Sequence, residues 1–371
     1  MKNVLITRFS ALGDIAMTIP VVYCVCRTNP HIRFFFLTRK LPAQLFVNAP
    51  ANLTVLPFEP KEYDGVAGLK RLAGELKRKY EIDGYADLHD VLRTKILRLF
   101  MRLRGVKVAK IHKQRSAAKR LTRAHNKSML PLIPTRAKYR EVFWRLGLKR
   151  EDDFTSVFDR NSFDKGQFSH LPTTEYFAPD AALFADATAP KLPGEIWIAI
   201  APFAKHPGKI YPMHLMAQVV GDLAQRPGYK LFLMGAGPQE SSVLAQWRNR
   251  FGEQLVNMAE LRLGLSAELA LLYHCDVMLS MDSANMHIAS LAGLRVVSIW
   301  GATHPYCGFM GWHQRCEDAV QLDMVCRPCS IYGNKPCRFA DYHCLEGLPP
   351  SLVLSHIDRV TASRNKQLEQ S

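Results

Sequence analysis

Short apolar segments alternate with amphipathic, helix-like segments along this chain of 371 residues. Strands joined by single helices form βαβ units, and such units build a parallel sheet. The alternation therefore predicts an α/β fold with two doubly wound, Rossmann-like domains facing a central cleft. Ligands of such folds bind at the carboxyl ends of the strands. The expected strands are 4–7, 34–37, 54–56, 85–88 and 106–109, then 196–201, 230–234, 277–280 and 296–299.

Residues 183–194 are rich in alanine and proline and are typical of a linker. We therefore expect an N-terminal domain at residues 1–185, a C-terminal domain at 192–350, and a C-terminal helix or tail at 351–371. The expected helices are 15–27, 69–80, 91–103, 213–225, 239–251, 267–274 and 286–292.

The composition is that of a soluble globular protein, because 48% of the residues are hydrophobic and 22% are charged. No apolar run approaches the roughly 20 residues that a membrane-spanning helix needs. The apolar start of the chain is broken by Arg8 and Asp14, which is not typical of a signal peptide. We expect a cytoplasmic protein in which most of the nine cysteines are reduced.

Positive charge is concentrated in residues 91–150, which hold 19 Lys or Arg and one acidic residue, Glu141. The net charge of the whole chain is +16, so the rest of the chain is close to neutral. A basic region of this density favours a polyanionic partner: nucleic acid, an anionic membrane surface or a phosphorylated glycolipid. The alternative is a solvated face that only maintains solubility.

The segment after the first expected strand contains Arg8, Ser10, Gly13 and Asp14. Gly13 suits a turn, and Asp14 stands where a carboxylate can cap the next helix. Because this position lies at the carboxyl end of a parallel strand, the carboxylate can also act as a general base towards a sugar hydroxyl.

Two segments in the second half carry groups suited to a phosphorylated ligand. Lys205 and Lys209 follow strand 196–201 and can stabilise a diphosphate, although lysines in an exposed turn are common. Glu240 follows a short Gly-x-Gly turn after strand 230–234. It can accept hydrogen bonds from ribose hydroxyls or act as a first-turn helix acid.

The sharpest motif begins at Asp282 and Ser283, directly after strand 277–280. The N–H groups at the start of the following helix suit a phosphate. Asp282 can accept from sugar hydroxyls, and Ser283 can donate to a phosphate. His287 lies one turn into the helix, where a histidine is either a core residue or a ligand-binding group.

Taken together, the four motifs resemble glycosyltransferase family 9, the bacterial heptosyltransferases of lipopolysaccharide core assembly. The resemblance spans roughly residues 2–350, and the motifs fall in the family's order. It implies a GT-B fold and inverting, metal-independent transfer from a nucleotide-sugar, ADP-heptose, with no required cofactor. It also implies an anionic glycolipid acceptor of the lipopolysaccharide-core type and peripheral contact with the inner face of the cytoplasmic membrane.

The resemblance assigns a role to each motif. Asp14 would be the catalytic base, and Glu240 would bind the nucleoside. The remaining residues would be Arg8 and Ser10 on the acceptor side, Lys205, Lys209 and Ser283 at the donor phosphates, and Asp282 and His287 at the sugar and phosphates.

The chain departs from the family pattern at two positions. Ala284 stands where the family commonly has glycine, and Tyr211 stands where members often have tryptophan. Neither change removes a proposed chemical group, but both touch the expected donor pocket. The sequence therefore constrains the identity of the donor less than it constrains the fold.

Four cysteines near the C-terminus have the spacing C-x2-C-x7-C-x6-C; they are Cys326, Cys329, Cys337 and Cys344. Four thiolates can hold a structural zinc ion, and the alternatives are free thiols or an adventitious disulfide. The spacing of the first pair is correct for a zinc knuckle, whereas the second pair is spaced loosely.

The basic region and the cysteines together give a second hypothesis, a nucleic-acid-binding protein with a zinc-knuckle-like segment. Residues 91–150 contain few aromatic side chains that could stack on bases, which argues against it. The glycosyltransferase hypothesis expects no nucleic-acid partner. A non-catalytic nucleotide-sugar binder is a third hypothesis, against which Asp14 argues.

Overall fold

Two units, each built on a parallel sheet, make up the described chain. The computed structural model describes residues 1–149, 151–158, 191–192 and 194–368, with side chains through residue 363. The N-terminal unit contains Met1–Lys113 and the described residues from Ile133 to Phe158. The C-terminal unit contains Gln114–Leu132 and the described residues from Lys191 onward. The expected boundary at residues 185–192 lies almost entirely outside the described residues.

No helix in the described ranges has the length and hydropathy needed to cross a membrane.

The five strands of the N-terminal unit agree with the expected strands to within one residue at each end. They are β1 (Asn3–Thr7), β2 (Arg33–Thr38), β3 (Leu53–Pro57), β4 (Gly84–Asp87) and β5 (Lys107–Lys110). All neighbouring strands are parallel, in the order β3-β2-β1-β4-β5. The central strand β1 is buried along its whole length, as expected for a strand in a covered parallel sheet.

The helices of the N-terminal unit connect these strands and cover the sheet. They are α1 (Leu12–Ala16), α2 (Ile19–Thr28), α3 (Lys40–Ala43), α4 (Gly65–Tyr80), α5 (Leu92–Arg102) and, after one helix of the other unit, α7 (Thr135–Leu146). The single helix expected at residues 15–27 is two helices, α1 and α2. Pro20 lies in the first turn of α2, where its missing N–H breaks no helical hydrogen bond.

The C-terminal sheet has six strands, of which the sequence predicted four. The strands are β6 (Ile196–Ala201), β7 (Tyr229–Leu233), β8 (Leu255–Asn257), β9 (Val277–Met281), β10 (Val296–Ile299) and β11 (Ala319–Val320). Their order is β11-β10-β9-β6-β7-β8, with parallel pairing throughout. The two unpredicted strands, β8 and β11, lie at the edges and are too short to show a pattern of their own.

The helices of the C-terminal unit lie mostly between its strands. They are α6 (Arg115–Leu121), α8 (Met213–Ala224), α9 (Gly237–Phe251), α10 (Met258–Leu261), α11 (Leu265–His274), α12 (Ala284–Leu291), α13 (His343–Glu346) and α14 (Pro350–Leu368).

Residues 114–132 belong to the C-terminal unit, although they lie within the expected N-terminal domain at residues 1–185. Leu121 and Leu132 are buried against Cys307. The ammonium group of Lys127 donates to the carbonyls of Cys326 and Pro328 at 2.6 and 3.0 Å. These contacts tie the middle of the basic region to the C-terminal unit, so the region is divided between the two units.

The last helix, α14, lies where a C-terminal helix or tail was expected, and it packs as part of the C-terminal core. Val353, Ile357 and Val360 are buried in the same cluster as residues of β6, β9 and β10. Their spacing places them on one face of the helix, so α14 is held by apolar packing.

We expect Ile357→Ala to lower the free energy of unfolding of the C-terminal unit by about 2–5 kcal/mol, because it leaves a cavity in a fully buried site. Urea unfolding followed by tryptophan fluorescence measures this. Ser355→Ala, on the exposed side of α14, should change the stability by less than about 0.5 kcal/mol. Equal effects of the two variants would contradict the packing of α14.

Candidate functional site

A buried ion pair lies at the carboxyl ends of three adjacent strands in the C-terminal sheet. Asp282 directly follows β9, Lys209 lies in the loop after β6, and Thr303 lies after β10. The Lys209 ammonium is 2.8 Å from Asp282 Oδ2, and the Thr303 hydroxyl donates to the same oxygen at 2.8 Å. The Asp282 side chain is 2% exposed and that of Lys209 is 14% exposed. The carboxylate therefore holds the lysine at the surface of the sheet edge where ligands of this fold class bind.

Three glycines allow the backbone to close around Lys209. A Cβ on Gly208 would lie 2.8 Å from the Cβ of Ala302, and one on Gly301 would lie 2.7 Å from the carbonyl oxygen of Gly208. Gly333, with a φ of +74°, approaches the Lys209 stem so closely that a Cβ would lie 2.6 Å from Cγ. A side chain at any of these positions would displace the loops that carry the ion pair. These close approaches could not be predicted from the sequence, because they depend on how loops distant in the chain meet.

Arg327 fixes the loop that carries Thr303. Its side chain is buried and donates to the carbonyls of Gly301, Trp300 and Thr303 at 2.5, 2.9 and 2.9 Å. Buried guanidinium groups are stable only when their donors are satisfied, and here main-chain oxygens satisfy them. No local pattern in the sequence distinguishes Arg327 from the other basic residues, so its role could not be predicted.

The start of α12 carries the other two predicted residues of this motif. Ser283 is the N-cap of the helix: its Oγ accepts from the N–H of Asn285 at 3.3 Å and lies 3.3 Å from the hydroxyl of Ser280. His287 is buried one turn further on. The structure therefore brings Asp282, Ser283 and His287 together at one strand-to-helix junction, with Lys209 bound to the first of them.

Glu240 and Lys205 follow the neighbouring strands β7 and β6. Glu240 is in the first turn of α9, and its Oε2 accepts from the N–H of Ala236 at 2.7 Å. Lys205 is exposed, four residues before Lys209. Both lysines contribute to lowering the pKa of His206, after the effect of its desolvation. Their charges therefore act on the same loop.

In the N-terminal unit, Asp14 and Arg8 form an ion pair after β1. The distance between Asp14 Oδ2 and the Arg8 guanidinium is 2.5 Å, and the Asp14 side chain is 26% exposed. The same oxygen accepts from the N–H of Ala11 at 3.3 Å. Arg8 is buried, donates to the carbonyl of Leu88 at 2.7 Å and lies over the ring of Tyr139. A buried arginine thus orients a carboxylate that solvent can reach.

His89 is a polar neighbour of this pair that no sequence motif predicts. Its Nδ1 accepts from the N–H of Phe9, and its Nε2 lies 3.4 Å from the hydroxyl of Ser10. Burial, together with the nearby charges of Arg8 and Lys113, lowers its pKa to about 3. Because the neutral ring accepts at Nδ1, the hydrogen on Nε2 points to Ser10 Oγ. Ser10 is then oriented by His89 with its own hydrogen available to a ligand.

Asp87 anchors the loop that carries His89. Its Oδ1 accepts from the N–H groups of His89 and Asp90 at 3.0 and 2.9 Å. Its Oδ2 pairs with the buried Arg98. This network lies at the carboxyl end of β4, and the Arg8–Asp14 pair lies at the carboxyl end of the neighbouring strand β1.

The four cysteines near the C-terminus line one cavity of about 170 Å³ and are free thiols. Burial raises the pKa of Cys344 to about 11 and also raises the pKa of Cys329. In the part of the chain that the structure describes, no three His, Cys, Asp or Glu side chains are arranged to hold a metal ion. The four cysteines share this cavity, and zinc binding stays a prediction without support from this arrangement.

A model of glycosyltransferase family 9 (heptosyltransferase) matches residues 157–341. Among curated proteins, the chain is similar to lipooligosaccharide heptosyltransferase 2 of Campylobacter jejuni subsp. jejuni. The identity is 24% over 135 residues for serotype O:6 and 23% over 128 residues for serotype O:2. These matches cover 36% and 34% of this chain. The chain spans about two fifths of the length of these relatives, 42% and 39%.

Solved structures share the fold over nearly the whole chain. The glycosyl transferase family 9 protein of Veillonella parvula has a TM-score of 0.70 at 16% identity, covering 98% of both chains. E. coli ADP-heptose LPS heptosyltransferase II has a TM-score of 0.67 at 16% identity, covering 98% of this chain and 100% of that one. An E. coli heptosyltransferase solved with ADP has a TM-score of 0.61 at 14% identity, covering 96% and 99%.

The two parallel-sheet units and these likenesses define the fold class as GT-B, as the sequence predicted. Within that class, the chain is similar to glycosyltransferase family 9 (heptosyltransferase), whose model matches residues 157–341. The comparisons lend no support to the nucleic-acid-binding alternative.

Lys209→Met should lower the free energy of unfolding by about 3 kcal/mol, because it leaves the buried carboxylate of Asp282 without its cation. Lys205→Met in the same loop is the matched control and should change stability by less than about 0.5 kcal/mol. Adding Asp282→Asn to Lys209→Met should recover part of the loss. Chemical denaturation measures all three, and equal losses for the two lysine variants would rule out the buried pair.

His89 should lower the stability of the folded protein at acid pH. The unfolded chain protonates His89 near its ordinary value of about 6.5, whereas the folded protein does so only near about 3. Stability is therefore lost as the pH falls below about 6.5. Between about pH 7 and about pH 5, the melting temperature of His89→Gln should fall less than that of the wild type. His214→Gln, at an exposed position, is the control; identical pH profiles for wild type and His89→Gln would contradict the prediction.

Proposed function

We propose that this protein is an inverting glycosyltransferase that moves heptose from ADP-heptose onto an anionic, lipopolysaccharide-core-type glycolipid. The match to the family 9 model and the similarity to known heptosyltransferases support this proposal. The single observation that carries it is the Lys209–Asp282 pair beside the start of α12. This arrangement offers a fixed cation and a helix N-terminus at one strand-end edge.

At the donor end, Lys209 would neutralise the diphosphate whose negative charge grows as the sugar bond breaks. Asp282, to which the Thr303 hydroxyl donates, holds the lysine in place, so the lysine needs no reorganisation during the reaction. The hydroxyl of Ser283 and the N–H groups at the start of α12 would bind phosphate oxygens. Lys205 would add charge from the rim of the same loop.

The rest of the donor would bind at adjacent positions. Glu240 would accept hydrogen bonds from the ribose, with its carboxylate moving from the N–H of Ala236. His287 would contribute at the sugar and phosphates. Lys209, Lys205 and the N–H groups at the start of α12 would do what a divalent cation does in other transferases, so the proposed reaction needs no metal.

At the acceptor end, Asp14 would take the proton from the attacking hydroxyl. The hydroxyl oxygen forms a bond to the anomeric carbon while the bond from that carbon to ADP breaks, and ADP leaves with the bonding electrons. A single displacement of this kind inverts the anomeric centre. Arg8 holds the carboxylate, and Ser10, oriented by His89, would hydrogen-bond the acceptor.

The acceptor and location follow from charge. A lipopolysaccharide precursor is anionic and membrane-bound, and the many cations of residues 91–150 would attract it. We therefore propose a cytoplasmic enzyme in peripheral contact with the inner face of the cytoplasmic membrane.

Asp14→Asn should reduce heptose transfer by at least about 100-fold, because the amide cannot take the proton. Release of ADP from ADP-heptose in the presence of acceptor measures this. The thermal shift with ADP should be unchanged, since the donor groups lie in the other unit. Transfer near the wild-type rate by a folded variant would refute the assignment of the base.

A thermal-shift series with ADP, UDP, GDP and CMP tests the donor. ADP should give a clear stabilisation and the other nucleotides a weaker one. At equal concentrations, the ligand that binds the folded protein most tightly stabilises it most. Lys209→Met should abolish the ADP shift and Lys205→Met should only reduce it. A larger shift with another nucleotide would overturn the choice of ADP.

A further inference from the structure

The outer face of α5 exposes large apolar side chains in a regular row. Leu92, Leu99 and Leu103 are 74%, 55% and 72% exposed. Lys95 and Arg102 are exposed between them. We name these five residues the α5 stripe. Their spacing places them on one face of the helix, which is continued by Leu103 at its C-cap.

The opposite face of α5 already satisfies the packing of the helix. Leu97 and Met101 are fully buried in the core that α5 shares with α4. The leucines of the α5 stripe are therefore not needed for folding. Monomeric proteins rarely place several large apolar side chains together in water without a use for them.

The charges around the α5 stripe leave it purely cationic. Arg93 pairs with Asp64, and the buried Arg98 pairs with Asp87 and Asp90. The acids near this helix are thus engaged with arginines beside or beneath the stripe. Lys95 and Arg102 remain directed outward beside the leucines.

We propose that the α5 stripe docks on an anionic lipid bilayer, with the leucines entering the headgroup region and Lys95 and Arg102 contacting lipid phosphates. Leucines flanked by lysine and arginine on one helix face have the composition of a helix that lies in a membrane interface. The inference deepens the proposed function, because it names the surface that would carry the enzyme to a lipid-linked acceptor.

Two other partners fit the stripe less well. A second copy of the chain, packed through the same face, would bring Lys95 and Arg102 against their own counterparts. Single-stranded nucleic acid is bound by aromatic side chains that stack on bases, and the stripe has leucines instead. Charge complementarity and apolar exposure together favour the bilayer.

The experiment is co-sedimentation of the full chain with vesicles of equal parts phosphatidylglycerol and phosphatidylcholine, and with vesicles of phosphatidylcholine alone. Wild type should bind the anionic vesicles more tightly. The triple variant Leu92→Gln, Leu99→Gln, Leu103→Gln keeps good helix formers and should lower the partition coefficient at least about tenfold. The double variant Lys95→Glu, Arg102→Glu should lose the preference for anionic vesicles. Its partition coefficient on those vesicles should also fall at least about tenfold.

Matched controls change equal numbers of exposed residues elsewhere. Leu41→Gln, Leu130→Gln, Leu192→Gln replaces three exposed leucines outside α5. Arg250→Glu, Lys335→Glu makes the same change of net charge at exposed positions in the C-terminal unit. Both should bind anionic vesicles within about twofold of wild type.

The inference fails if the leucine variant binds vesicles as wild type does, or if wild type does not prefer the anionic vesicles. It also fails if the leucine variant instead dissociates an oligomer in sedimentation velocity, or loses affinity only for an RNA oligonucleotide. The ADP thermal shift distinguishes a failure of this inference from a failure of the proposed function. A normal shift with no vesicle binding counts against the stripe alone, and vesicle binding with no ADP shift counts against the transferase.

Discussion

The carboxylate of Asp282 imposes the strongest constraint on the candidate site. A charged group that is almost fully buried at the end of a strand must be paired, and Lys209 and Thr303 provide its partners. Pairing requires the loops after three adjacent strands to meet within hydrogen-bond distance. Gly208, Gly301 and the buried Arg327 make this approach possible. The ion pair therefore links the order of the strands to the position of the cation.

The N-terminal unit solves a similar problem with a different chemistry. There, the buried partner is a cation, Arg8, and the carboxylate of Asp14 is the partly exposed group. His89 is kept neutral by burial and by neighbouring positive charge, so it can direct a hydrogen bond to Ser10 without adding charge. In both units, a buried group holds a more exposed one at the carboxyl end of a central strand.

The sequence predicted the fold well because the strands of a covered parallel sheet are continuous apolar runs. Every predicted strand occurs, and the missed strands, β8 and β11, are short edge strands whose pairing depends on their neighbours. The domain assignment was less accurate. Residues 114–132 are too basic to show a pattern, and their place is decided by the burial of Leu121 and Leu132 and by the bonds of Lys127.

The sequence by itself determined which residue types stand at the strand ends, because each motif includes the turn and the first helical residues that follow its strand. It therefore located Asp14, Lys209 and Asp282, but it could not show that Lys209 binds Asp282 or that Arg8 binds Asp14. Only the tertiary structure decided these pairs, together with Arg327 and His89. Side-chain pairing across strands depends on strand order and loop approach, and neither property is encoded in a local pattern.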